Sequence, residues 1–272
     1  MAAPPDDAVA HVDVDWAGRP VRIEHAWIAP ERADRSLFVF LHEGLGSLAM
    51  WKDFPRKLCD ALGVRGLVYS RPGYGASTPR SADERWDVDF MHRQAHELLP
   101  AFLAAVGVDG QRERPWLLGH SDGASIALLH AARFPDRVGA LVLLAPHCFV
   151  EPVSLASIEA TRQAYLTTDL RSRLARYHLD PDSAFWGWND IWLHPPFRHW
   201  NIEEELERIR VPVLAVQGRD DEYGTLAQVE GIARAVPSTR IVVLDDCGHS
   251  PHRDQPARLV EEVARFHERP GA

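Results

Sequence analysis

The chain opens with apolar and polar residues in alternation, Val9 to Asp15 and again Val21 to Ala29, on either side of Ala17-Gly18-Arg19-Pro20. A period of two around a Gly-containing turn predicts a half-buried antiparallel hairpin. The pattern then changes. Leu37 to Leu41, Leu67 to Tyr69, Trp116 to Leu118, Leu141 to Ala145, Val211 to Val216 and Ile241 to Leu244 are unbroken apolar runs, as expected of strands buried on both faces of a parallel sheet. Helical periodicity lies between them at 49–62, 88–106, 124–134, 226–235 and 257–267. This alternation predicts an α/β architecture with a mainly parallel eight-stranded sheet flanked by helices. Residues 147–210 depart from it and predict a helical cap inserted after the sixth strand. The core would then be residues 1–146 and 211–272. No internal repeat or low-complexity tract interrupts this plan.

At 272 residues, 46% hydrophobic and 25% charged, the chain is long enough to bury a full core and to be an enzyme. Its formal net charge of −9 offers no basic footprint for nucleic acid or an anionic membrane. Met1 to Asp15 is acidic and Pro/Ala-rich, without a basic region followed by an apolar one, and no run approaches membrane-spanning length. A cytoplasmic protein with a small-molecule substrate, possible as a homo-oligomer, is the expectation. Cys59, Cys148 and Cys247 have no metal-ligand spacing and cannot all pair, so free buried thiols are expected.

Gly119-His120-Ser121-Asp122-Gly123 follows the apolar run at Trp116 and precedes the helical stretch from Ala124. Strand, tight turn and helix are the context a nucleophile elbow requires. A serine hydroxyl is a poor nucleophile, so Ser121 needs an adjacent base and backbone N–H groups aimed at the developing oxyanion. Catalytic groups in such a sheet belong at the carboxyl ends of the strands. After Val216 comes Gln217-Gly218-Arg219-Asp220-Asp221-Glu222, which offers an acid to orient an imidazole; after Leu244 comes Asp245-Asp246-Cys247-Gly248-His249-Ser250-Pro251-His252, which offers the imidazole. Asp220 and Asp221 compete for the acid's role, and Asp221 also suits a cap for a helix near Thr225. His252 is second to His249. The order Ser, acid, His distinguishes this arrangement from the chymotrypsin and subtilisin types. His194 and His199 stand among prolines and tryptophans without a third ligand at suitable spacing, so no metal and no cofactor are expected.

With these motifs the chain resembles the α/β-hydrolase fold superfamily, as a capped serine hydrolase or esterase-like member, over nearly its whole length. Leu41-His42-Glu43-Gly44-Leu45-Gly46 resembles the H-G-x-x-G oxyanion loop, and Ser70-Arg71-Pro72-Gly73-Tyr74-Gly75-Ala76-Ser77 resembles the loop after the fourth strand. The resemblance implies Ser121 as nucleophile, His249 as base and Asp221 as acid, the last lying three residues after Gly218. It implies the backbone N–H groups of Gly44 and Asp122 as oxyanion donors. Glu43 departs from the pattern, since the family usually has glycine there, and a carboxylate near an oxyanion raises the barrier unless it is turned away or neutralised. His120 and His42 are expected to brace structure.

The cap is rich in aromatic residues, and Trp186, Trp188 and Trp192 are candidates to bind substrate, although packing between cap and core is the commoner use of such side chains. The expected activity is hydrolysis of a small apolar or aromatic carboxylic ester, lactone or thioester through an acyl-enzyme on Ser121. The alternatives are hydrolysis of a carbon–carbon bond in a ketone ring-cleavage product, and a non-catalytic ligand-binding or receptor protein of the same fold.

Overall fold

A computed structural model describes residues 7–270; the first six residues of the acidic N-terminal stretch lie outside them. Eight strands form one sheet: β1 (Ala10–Trp16), β2 (Arg19–Ile28), β3 (Leu37–Leu41), β4 (Arg65–Tyr69), β5 (Trp116–His120), β6 (Leu141–Leu144), β7 (Val213–Gly218) and β8 (Thr239–Leu244). Their order is β1-β2-β4-β3-β5-β6-β7-β8. The β1–β2 hairpin joins β4 antiparallel, and every later pairing is parallel.

The unbroken apolar runs arise because both faces of this sheet are covered. Leu37, Val39 and Leu41 point into one core, whereas Phe38 and Phe40 point into the other. The second core is closed by α1 (Phe54–Leu62) and α12 (Pro256–Glu268), through Phe54, Leu58, Leu259, Val263 and Phe266. The first is closed by α2 (Phe90–Arg93), α3 (Leu99–Ala105) and α10 (Ala227–Ala235), with α4 (Gly110–Glu113) leading into β5. At its centre lies α5 (Asp122–Arg133), buried from Asp122 through Ala132.

Several predicted boundaries shift for local reasons. The helix expected over 49–62 divides at Lys52, whose φ of +55° stops the first turn before α1 restarts with Pro55 near its N-terminus. Ala145 leaves β6 with φ of +46°. β7 starts after Pro212, which has no N–H for the ladder.

Between β6 and β7 the chain forms α6 (Pro152–Thr167), α7 (Leu170–Leu174), α8 (Pro181–Trp192) and α9 (Glu203–Leu206). Their apolar faces continue the first core through Ile158, Tyr165, Leu174, Phe185 and Trp192, joined by Phe197 from the turn between α8 and α9. The Tyr165 and Phe185 rings stack with centroids 3.6 Å apart. The remaining short helix, α11 (Pro251–Asp254), follows the loop after β8.

Candidate active site

Strands β3 and β5 are neighbours, yet the chain leaves them toward helices on opposite faces of the sheet, α1 and α5. This divergence opens a crevice beyond their carboxyl ends, where ligands bind in doubly wound sheets. The Glu43–Gly44 loop follows β3, and Ser121 follows β5.

Ser121 has φ of +52° and ψ of −119°, a conformation that costs a non-glycine residue energy and turns the chain sharply from strand to helix. The surrounding packing enforces it. Ser121 N–H donates to the Leu144 carbonyl at 2.9 Å, and a Cβ on Gly123 would lie 2.1 Å from the Leu41 carbonyl oxygen. The turn places Asp122 at the first position of α5, where backbone N–H groups lack intrahelical acceptors.

Asp221 and His249 come from the ends of β7 and β8. The two loops approach so closely that a Cβ on Gly218 would stand 2.2 Å from the Gly248 carbonyl oxygen. His249 Nδ1 lies 2.8 and 3.0 Å from the two Asp221 carboxylate oxygens. Asp221 also accepts from Tyr223 N–H at 2.8 Å, Gly224 N–H at 3.2 Å and the Gln217 side-chain amide at 2.6 Å. Burial pushes its pKa up, but the His249 contact and the Tyr223 N–H outweigh it, holding the carboxyl below its usual range. With a carboxylate as acceptor, Nδ1 carries the proton and Nε2 is left as the basic nitrogen. The loop is pinned on both sides of the imidazole: His249 N–H donates to Glu222 at 3.1 Å, and the His249 carbonyl accepts from His120 Nε2 at 2.7 Å. Asp220 is exposed and makes no contact of this kind.

The loop after β3 is held through one carbonyl. The Glu43 oxygen accepts from His42 Nδ1 at 2.7 Å, from Arg71 Nη2 at 2.8 Å and from Gly46 N–H at 3.1 Å. That carbonyl and the Gly44 N–H belong to the same planar peptide, so three donors on the oxygen also fix the direction of the N–H. The His42 tautomer follows from its contacts: Nε2 accepts from Arg71 N–H at 3.0 Å, so Nδ1 must donate. Burial first, and then Arg71, hold its pKa well below normal. His42 therefore braces the loop as a neutral ring. Arg71 is fully buried, 3.9 Å from the Asp122 carboxylate and stacked on Tyr74. One guanidinium thus touches both segments that carry the expected oxyanion donors, a role the sequence pattern did not signal.

Ser121 and His249 line a common cavity of about 300 Å³. Leu45 and Met50 line it from the segment after β3, and Ile158, Thr161, Leu170, Leu174, Trp188 and Trp192 from the helices between β6 and β7. Glu43, Glu222 and the exposed Arg253 supply its charged groups. Trp192 Nε1 donates to Asp122 at 3.1 Å, so α8 is anchored to the residue beside Ser121. Trp186 is not a lining residue; it packs edge-on against Tyr165 and Phe185, with the Arg162 guanidinium 5.5 Å from its ring centroid.

Two further histidines escaped the sequence reading. His178 accepts from Gly75 N–H at 3.0 Å and donates to the Leu45 carbonyl at 3.1 Å, tying the segment between β6 and β7 to the loops after β4 and β3. His147 lines the cavity 5.7 Å from the His249 ring, and burial, with His249 beside it, lowers its pKa to about 3. His252, the weaker candidate base, is buried against Trp51 and likewise lowered to about 3 by burial first. His194 and His199 are exposed, and the described residues contain no group of three or more metal-type side chains. The three cysteines are buried and unpaired. No helix among the described residues is long and apolar enough to cross a membrane.

Comparison with known proteins agrees with this architecture. The 2-hydroxy-6-oxo-6-phenylhexa-2,4-dienoate hydrolase of Burkholderia cepacia is 23% identical over 238 residues, covering 78% of this chain and 80% of that one. Among solved structures, VinJ superposes with a TM-score of 0.75 at 23% identity, over 98% of this chain and 100% of the other. The enol-lactonase of Burkholderia xenovorans LB400 superposes with a TM-score of 0.71 at 19% identity, over 96% and 100%. Residues 38–262 match the alpha/beta hydrolase family, and with a strained serine elbow between β5 and α5 and the eight-stranded sheet around it, the chain belongs to that family.

Proposed function

We propose that this hydrolase cleaves a small carboxylic ester, lactone or thioester with an apolar or aromatic acyl group, through an acyl-enzyme on Ser121. The observation that carries the reading is the 2.8 Å contact between His249 Nδ1 and the buried Asp221, made by a histidine that lines one cavity with Ser121. His249 Nε2 takes the Ser121 proton as the hydroxyl attacks the carbonyl. Asp221 stabilises the imidazolium that forms, and the N–H groups of Asp122 and Gly44 receive the oxyanion. The imidazolium then protonates the leaving alcohol or thiol. A water molecule, deprotonated by His249, attacks the acyl-enzyme and releases the acid. Every group in these steps is a side chain or backbone N–H of this chain, so the reaction is written without a cofactor.

The apolar wall from Leu45, Met50, Ile158, Leu170, Leu174, Trp188 and Trp192 supports an apolar acyl group, and about 300 Å³ lies at the small end for ligand sites. We read residues 147–210 as a cap on this basis, with Trp188 and Trp192 as its contacts to substrate. The unpaired thiols and net charge of −9 fit a cytoplasmic enzyme.

Carbon–carbon bond hydrolysis is the second reading, prompted by the name of the Burkholderia cepacia relative. Glu222 lines the cavity and opposes an anionic dienoate, which favours the ester. The test is turnover of p-nitrophenyl esters of increasing acyl length by the wild type and Ser121→Ala, with a fluorophosphonate label located by mass spectrometry. Label on Ser121, with turnover abolished in the variant, supports the ester reading. Cleavage of a 2-hydroxy-6-oxodienoate without ester turnover favours the second, and a folded protein that neither labels nor turns over either substrate overturns both in favour of a ligand-binding role.

A further inference from the structure

Glu43 stands where the family usually has glycine, and its side chain turns back across Gly46, where a Cβ would meet Glu43 Oε2 at 2.3 Å. Its carboxylate ends 3.3 Å from His120 Nδ1, in the cavity that holds Ser121. The other nitrogen of that imidazole, Nε2, lies 2.7 Å from the His249 carbonyl oxygen. A carbonyl only accepts, so Nε2 carries a hydrogen. A neutral His120 would then present a bare nitrogen to the carboxylate, two acceptors facing each other. Nδ1 is buried and makes no hydrogen bond among the described residues, with the Glu43 carboxylate at ion-pair distance. An attractive contact between the two calls for one further proton, on Nδ1 or on the carboxyl.

The surroundings decide which. Glu43 faces His120 at the end of β5, His42 from its own loop and His252 from α11, with His178 and the Arg71 guanidinium nearby and the Asp122 carboxylate opposing them. His120 has His249, His147 and His252 around it. His42 and His178 are held as neutral donors by their hydrogen bonds. Burial pushes the Glu43 carboxyl up, yet His120 and the other histidines outweigh it and hold the group far below the usual carboxylate range. Glu43 is therefore the carboxylate of this contact.

We propose that the half-buried Glu43 carboxylate and the buried His120 form a carboxylate–imidazolium pair that cancels the charge of Glu43 beside the oxyanion site, while the same imidazolium positions His249 through its backbone carbonyl. His120 is thus a positioning residue, and the catalytic part of this inference rests on the serine-hydrolase reading above. The pair has net charge zero. Loss of His120 alone leaves a bare carboxylate facing the developing oxyanion, whereas loss of both charges restores neutrality.

Two readouts test this. In protein with ¹⁵N-labelled histidine at pH 8, both ring nitrogens of His120 are expected to be protonated in the wild type, and Nδ1 unprotonated in Glu43→Gln, whose amide donates to it. In p-nitrophenyl butyrate hydrolysis, His120→Gln keeps an N–H for the His249 carbonyl but is expected to lower kcat about 100-fold, the scale of one lost oxyanion donor. The double variant is expected to recover at least about 10-fold of the kcat that His120→Gln loses, because it leaves no unpaired charge. A neutral His120 in the wild type, or a double variant no more active than His120→Gln, would overturn the proposal. The ¹⁵N measurement decides the pair even if His120→Gln does not fold or the wild type proves inactive on esters, and inactivity would count against the esterase reading alone.

Discussion

Arg71 and Glu43 meet at a single hydrogen bond, guanidinium Nη2 to backbone carbonyl at 2.8 Å, and that bond aims the Gly44 N–H because both ends of the peptide turn together. The same guanidinium faces the Asp122 carboxylate at 3.9 Å, with both side chains fully buried. The two expected oxyanion donors are therefore braced by one cation.

Arg71→Lys keeps the charge but not the fork, since an ammonium is a point donor that does not span Glu43 and Asp122 together. Its kcat for an aryl ester is expected to fall about 100-fold with little change in KM, as for loss of an oxyanion donor. Arg71→Met, which leaves the Asp122 carboxylate buried without its counter-charge, is expected to cost about 3–5 kcal/mol of stability in urea unfolding. An unchanged kcat in Arg71→Lys would show that the Gly44 peptide is held without this bond.

The two adjacent aspartates are expected to separate cleanly. Asp221→Asn replaces an acceptor of the His249 proton by an amide that favours the wrong tautomer, so kcat is expected to fall by about 10⁴. Asp220→Asn, altering an exposed residue outside that contact, is expected to remain within about 2-fold of the wild type by the usual tolerance of surface positions. Steady-state kinetics of the two variants, side by side, decides the assignment.

Trp192→Phe removes the Nε1–H that reaches Asp122 while keeping most of the ring. The abandoned carboxylate oxygen is buried, so about 1–3 kcal/mol of stability is expected to go with it. If α8 positions the elbow, kcat should fall along with the thermal midpoint. A lower midpoint with unchanged kcat would make this hydrogen bond structural only.

Acid should weaken the fold well before the carboxylates titrate. Burial first lowers His130 to about 4 and His147 and His252 to about 3, against 6.5 when unfolded. Between those values the unfolded chain binds the extra protons, so stability rises with pH and falls as pH drops below 6.5, by about 1.4 kcal/mol per pH unit for each group fully displaced. Asp221 acts in the same direction only below its ordinary 3.8, because its folded pKa is also depressed. Urea unfolding between pH 5 and 7 should show this slope, and His252→Phe should make it shallower by about one proton's worth.

Chain order alone made much of this protein legible. The alternating hairpin, the apolar runs at Leu37, Trp116 and Val213, and the helical periods between them follow from local steric and burial demands that repeat every two or 3.6 residues. The Ser121 elbow was equally visible, since strand, small residues and helix are contiguous in the chain. For the acid, the resemblance pointed to Asp221 by its place three residues after Gly218, but local pattern alone left Asp220 in competition, because the two differ only in where the turn points them. Nor did any local pattern mark Arg71, His120, His147 or His178, whose partners lie on other loops: His120 meets His249 across 129 positions, and His178 meets Leu45 across 133. Glu43 shows the division most clearly. Its identity stood out against the family pattern, but whether its charge opposes the chemistry depends on the histidine that folding brings within 3.3 Å, since electrostatic energy depends on distance in space and on exclusion of water, not on separation along the chain.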